Sequence, residues 1–218
     1  MSKSNFGRRH AAAPEPSVFS HATGSPPAPP RFRPAGSGDA DAIARLQVAN
    51  WRRHYRGAFS DEFLDGDLVA EWRTAWSSRL SSPGGTSTVL AEDDAGLAGL
   101  VHVVFDEDGS WGSLIDGLHV SPRRRRTGLG TELLSRAAEA VTERARGGAL
   151  YLWVLEQNTA AQEFYLALGG TCAERAAVAA PGGVSSRLTG SPVKLRFTWP
   201  DATVLARPEA RRGQPNPA

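Results

Sequence analysis

The segment 114–131, LIDGLHVSPRRRRTGLGT, constrains this chain more than any other. An apolar run passes through Pro122 and four arginines into Gly128-Leu129-Gly130, and a long amphipathic stretch follows. Strand, glycine loop and helix start in that order form an anion site. Glycine lets the backbone approach a ligand closely, and the first N–H groups of a helix point outward at the positive end of its dipole. With Arg123, Arg124, Arg125 and Arg126 alongside, a pyrophosphate is the expected ligand. Leu133 stands where a dinucleotide fingerprint needs its third glycine, and GxxxxGK[ST] is absent, so Rossmann and P-loop folds are excluded. Gly117, inside the apolar run, signals a β-bulge or the close approach of another backbone.

The surrounding pattern alternates between helical and strand periods, as in a sheet flanked by helices. Asp39 or Ser37 can cap a first helix with Ile43, Leu46 and Ala49 on one face; Leu68, Trp72, Trp76 and Leu80 mark a second. Strands are expected at 88–91, 97–105 and 114–120, then a helix over 129–146 that buries Leu133, Leu134, Ala137, Ala138 and Val141. Residues 149–155 are apolar throughout, as for a strand covered on both faces. A helix over 158–168 stops at Gly169-Gly170. In 193–199, Val193, Leu195, Phe197 and Trp199 point one way; Lys194, Arg196 and Thr198 point to a face expected to be wet.

Arg125-x-x-Gly128-x-Gly130 after Val120-x-Pro122 resembles motif A of the GCN5-related N-acetyltransferases, the GNAT superfamily. Residues 152–169, LWVLEQNTAAQEFYLALG, resemble the family's second motif through Asn158, Ala161, Phe164, Tyr165 and Gly169, about 28 residues further on. The resemblance covers about 31–200, since the stretch 50–65 is similar to the substrate-side helices of many bacterial members. It implies an α/β fold with a mostly antiparallel central sheet, splayed between the fourth and fifth strands and flanked by helices. It also implies acetyl-CoA as co-substrate, with no metal. The pyrophosphate would lie on Arg125, Arg126, Thr127, Gly128, Leu129, Gly130 and Thr131, and the pantetheine arm would pair with Leu118, His119 and Val120 like an added strand. Asn158 would contact the cofactor or simply cap its helix. Tyr165 matches the family's general acid. Asp116, on the cofactor strand, is the expected base, with His119 or a held water as alternatives. Gly170 departs from the family, which usually has an aromatic there, and is expected to loosen the packing beneath Tyr165.

Charge narrows the partners. Residues 1–38 carry five basic side chains against Glu15, and 202–218 carry three against Glu209. Of the net +2, the stretch 39–201 therefore holds −4, the wrong sign for a nucleic-acid surface. That balance favours a small cationic amine as acceptor. Residues 1–30 hold six prolines and little to bury, so a disordered tail is expected there and another over 201–218, leaving a domain at 31–200. No apolar run is long enough to span a membrane, and one cysteine, Cys172, with no clustered ligands suits a reducing cytoplasm and no zinc. Cys172 lies outside both motifs, which opposes a covalent enzyme intermediate. Exposed edge strands would suit a homodimer. A non-catalytic acyl-CoA-binding module is the alternative reading.

Overall fold

The structure, a computed structural model, describes residues 28–206; the tails expected over 1–30 and 201–218 lie outside the described residues up to 27 and from 207. A seven-stranded sheet forms in the order β1-β2-β3-β4-β5-β7-β6, from β1 (Arg31–Pro34), β2 (Thr86–Asp93), β3 (Gly96–Asp108), β4 (Gly112–Val120), β5 (Leu150–Leu155), β6 (Thr171–Ala177) and β7 (Val193–Trp199). Every neighbouring pair is antiparallel except β4 and β5. Helices α1 (Ala40–His54), α2 (Asp61–Asp65) and α3 (Leu68–Ser81) precede β2, whereas α4 (Leu129–Arg144) and α5 (Thr159–Ala167) flank β5 in sequence.

The parallel pair sets up the site. It spans only Ser113–Ile115 against Leu150–Leu152, after which the two strands part. On the other edge of β4, His102 pairs with Gly117 but Val103 with Ile115, so Asp116 is the extra residue of a β-bulge. A bulge bends its strand and ends regular pairing. The splay therefore starts one residue after the last β4–β5 pair, next to the glycine that signalled it.

Packing locks both sides of this gap. Leu133, Leu134, Ala137, Ala138 and Val141 of α4 are all at most 1% exposed against β2, β3 and β4, as their spacing requires. On α1 the buried stripe runs through Ile43, Ala44, Leu46, Gln47 and Val48, and Ala49, expected in it, is exposed. Gln47 is tolerated there because it accepts a 2.7 Å hydrogen bond from Trp76 Nε1 of α3. Asp39 does not cap α1: its carboxylate receives Arg33 Nη1 and Nη2 at 2.7 Å and the Gly36 amide.

Two other expectations change. The edge strands β1 and β6 and the short α2 carry too little hydrophobic period to be read locally. Residues 171–177 form β6 along β7. The domain does not end at 200, because Ala202 and Leu205 are buried in a 3₁₀ turn that packs on α4. Nor is the second face of β7 wet: the Arg196 side chain is 12% exposed. Its guanidinium stacks on Trp153 at 4.5 Å and Trp111 at 4.6 Å, while Nη2 reaches Glu174 at 3.0 Å.

Candidate active site

The loop from Ser121 to Gly128 turns the chain from β4 into α4 through two left-handed residues, Arg126 (φ 60°) and Gly128 (φ 86°). Such alternation turns successive amides toward one side, which makes an anion cradle. The Glu132 amide donates to the Gly128 carbonyl and closes the first turn of α4. The amides of Arg126, Thr127, Gly128, Leu129, Gly130 and Thr131 have no acceptor among the described residues. A Cβ on Gly128 would meet nothing within 4 Å, so the space in front of these amides is open. One on Gly130 would come within 3.2 Å of Phe164 Cζ, the contact that presses α4 against α5 and joins the two sequence motifs. Six outward N–H groups at a helix start fit a diphosphate.

The four arginines divide. Arg123 and Arg124 are turned away: both reach Asp93 at the end of β2, at 2.8 and 2.7 Å. Arg124, 6% exposed, also donates to the Ala28 carbonyl. These two pin the loop rather than face a ligand. Arg125 reaches across to α1, where Nη2 approaches Asn50 Oδ1 at 3.5 Å and contacts His54 Nε2. Burial, then Arg125 and Arg53, lowers the pKa of His54 below its ordinary value, so it is poised to accept as a neutral imidazole. Arg126 is exposed at the mouth of the cradle.

Beyond the cradle, the gap between β4 and β5 opens into a cleft of about 840 Å³, within the range of small-molecule sites. Leu118, His119 and Val120 line it, and their β5-facing edge has no strand partner. Asn158 lines it too; Oδ1 accepts from the Ala161 amide at 3.4 Å, so it caps α5 while facing the cleft. Tyr165, 8% exposed, is held by Phe164, Phe197 and Trp199 at ring distances of 5.4, 5.6 and 6.1 Å. Its hydroxyl has no partner among the described residues. Burial, then Tyr55, raises the pKa of this phenol above its ordinary value, so it keeps its proton. Burial likewise pushes Tyr55 up to about 12, with Asp116 adding to it, and pulls His119 down to about 4 against Asp116.

The bulge turns Asp116 into the cleft, where Arg79 Nη1 stands 2.8 Å away. One expectation about this site needs correction. Gly170 does not loosen the packing beneath Tyr165. A Cβ there would lie 2.7 Å from Trp199 Cζ2 and 2.9 Å from the Tyr165 carbonyl. Trp199, fully buried and donating from Nε1 to the Leu168 carbonyl at 3.0 Å, supplies from β7 the ring absent at 170. Arg79 itself was missed, although it continues the α3 face of Trp72 and Trp76 at helical spacing. Cys172, free and exposed on β6, does not line the cleft. Among the described residues no His/Cys/Asp/Glu group could hold a metal, and no helix is long and apolar enough to cross a membrane.

Residues 47–169, more than half of the chain, match the model of a family described as the acetyltransferase (GNAT) family. No curated protein sequence matches. Among solved structures, a GCN5-related N-acetyltransferase from Rhodopseudomonas palustris aligns with a TM-score of 0.60 at 20% identity, covering 80% of this chain and 98% of that one. The PaiA N-acetyltransferase of Thermoplasma acidophilum, in complex with coenzyme A, aligns at 0.59 and 16% identity over 78% and 99%. A spermidine N-acetyltransferase of Vibrio cholerae aligns at 0.56 and 17% identity over 81% and 96%. At these identities the three likenesses show the fold.

Proposed function

The chain belongs to the acetyltransferase (GNAT) family, and on that premise we propose that it moves the acetyl group of acetyl-CoA to a primary amine by direct attack, with donor and acceptor bound together. The observation that carries this reading is the row of acceptor-free amides from Arg126 to Thr131, at the head of a splayed slot that leads to Tyr165. In this assignment the amides hold the diphosphate, Leu118–Val120 pair with the pantetheine arm, and Asn158 contacts the same arm.

The reaction forms a C–N bond, breaks the thioester C–S bond, and moves one proton from nitrogen and one to sulfur. An alkylamine of pKa ~10.4 is about 3 units too basic at neutral pH, so its free form costs roughly 4 to 5 kcal/mol. Asp116 takes that proton, directly or through a water shared with His119. Burial keeps His119 neutral and able to accept. Tyr165 serves the departing sulfur. A thiol near ~8.5 is a stronger acid than this phenol, so the hydroxyl first acts as a hydrogen-bond donor that stabilises the developing thiolate. Cys172 takes no part.

Calorimetric titration with acetyl-CoA tests the cradle, and thiol release across a broad amine panel tests the transfer. No binding at high micromolar acetyl-CoA would overturn the reading. Binding without turnover of any amine would favour the non-catalytic module.

A further inference from the structure

The acceptor half of the cleft has a charge pattern that a polycation would not fit. Its walls are aromatic: Trp51 lies 5.0 Å from both Tyr55 and Trp72, with Trp76 behind. The cation-binding faces of two of these rings are taken, because the Arg79 guanidinium stacks on Trp76 at 5.1 Å and Trp72 at 5.9 Å. Asp116 is the one acidic side chain lining the cleft among the described residues; Arg79 pairs with it, and Arg53 lines the cleft as well. A substrate with several ammonium groups would meet more positive than negative charge.

Arg79 is also under-used. It makes an ion-pair contact with Asp116 through Nη1, yet donates a geometrically sound hydrogen bond to no described residue, and its side chain is 37% exposed. A guanidinium fork with idle donors is shaped to take a carboxylate through two parallel bonds. A carboxylate alone would be repelled by Asp116. A zwitterion would not, since it can exchange partners with the existing pair, its anion going to Arg79 and its nitrogen to Asp116.

We propose that the acceptor is a free α-amino acid with a large apolar or aromatic side chain: its carboxylate on Arg79, its amine at Asp116, and its side chain against Trp51, Tyr55 and Trp72. The proposal rests on the acetyltransferase reading above. The free amine forms the new bond to the acetyl carbon and the thioester C–S bond breaks; Asp116 passes nitrogen's two protons in turn to solvent as ammonium becomes amine and then amide, while sulfur leaves as a thiolate hydrogen-bonded to the Tyr165 hydroxyl and takes one proton back from solvent.

The test compares matched probes on the full chain: L-phenylalanine, phenethylamine (the same molecule without the carboxylate), an N-terminal phenylalanine amide and spermidine, each with acetyl-CoA. Thiol release and product mass are the readouts. L-phenylalanine should exceed phenethylamine and the amide in kcat/KM by about 10- to 100-fold, as expected for a charge-assisted carboxylate contact, and spermidine should be the poorest. Arg79→Gln should collapse that preference to about unity, chiefly through the KM of L-phenylalanine, with Arg79→Lys intermediate; unchanged coenzyme A affinity and Tm would show that the fold is intact. Preference for spermidine or phenethylamine, or an Arg79→Gln variant that keeps the full preference, overturns the proposal while leaving the acetyltransferase reading standing. Absence of coenzyme A binding would sink that reading instead, and binding with no turnover of these four probes would overturn the amino-acid proposal, the acetyltransferase reading falling with it only if the broad amine panel is silent too.

Discussion

Replacing Thr131 with proline isolates a single donor of the phosphate cradle. Thr131 is exposed, stands third in α4, and its amide has no acceptor; the helix's first closing bond comes from the next residue, Glu132, to Gly128. Proline there removes no helical hydrogen bond. The restriction it places on the preceding residue falls on Gly130, which has no Cβ to clash. What is lost is one N–H to a charged phosphate, a bond of about 1.5 to 3 kcal/mol, so the Kd for coenzyme A should rise by roughly 10- to 150-fold. Thr131→Ala, which keeps the amide, should stay within about threefold. Isothermal titration of both variants with coenzyme A and with pantetheine, which lacks the diphosphate, makes the comparison specific: pantetheine binding should not separate them. A Thr131→Pro variant of unchanged Tm that binds coenzyme A as tightly as the parent would show that the diphosphate is not held by these amides.

Gly170 lacks a positive φ, so in open space Gly170→Ala would stabilise by about 0.4 to 1 kcal/mol; against Trp199 it should instead destabilise by about 1 to 3 kcal/mol, seen in calorimetry as a lower Tm, and a gain in Tm would refute the Trp199 contact. Tyr165→Phe should cut kcat by about 10²- to 10⁴-fold with little change in coenzyme A affinity, and unchanged turnover would free the hydroxyl of any role. His102, 2% exposed, is held down to about 4 by burial and by Arg79 against Asp116. Its folded pKa lies below the unfolded value near ~6.5, so the folded state binds fewer protons between them; stability should be complete above that window and fall by about 3 kcal/mol as the pH drops through it toward 4. Urea unfolding at pH 7.5 and 4.5 should show that loss, reduced in His102→Gln.

What could be read from the chain is local in sequence. The strand, loop and helix of 114–144 and the strand, cap and helix of 150–167 each carry their own period and punctuation, so the elements on both sides of the candidate site are legible in the sequence. What could not be read depends on partners far along the chain. Four consecutive arginines look alike until Asp93, about thirty residues earlier, claims two of them. Gly170 looks like a defect until Trp199 fills its place from another strand. Arg196 looks solvated until Trp111 and Trp153 enclose it. Arg79 looks like an ordinary helix-surface cation until the bulge brings Asp116 beside it.

That bulge shows how the slot can follow from side-chain parity alone. In a regular strand, residues 115 and 118 face opposite sides, because the period is two. Yet Ile115, Leu118 and Val120 all pack into the core beneath α4. An odd spacing between two residues that must both be buried can be met only if the strand inserts one extra residue between them, and the pairing shows that residue to be Asp116, followed by Gly117. Burying Ile115 with Leu118 thus forces the strand to break step. The break ends the pairing with β5, leaves the edge of Leu118–Val120 open for another extended backbone, and turns the one unpaired residue, a carboxylate, toward the cleft. The hydrophobic pattern of five residues, IDGLH, is therefore enough to couple the packing of the core to the opening of the site.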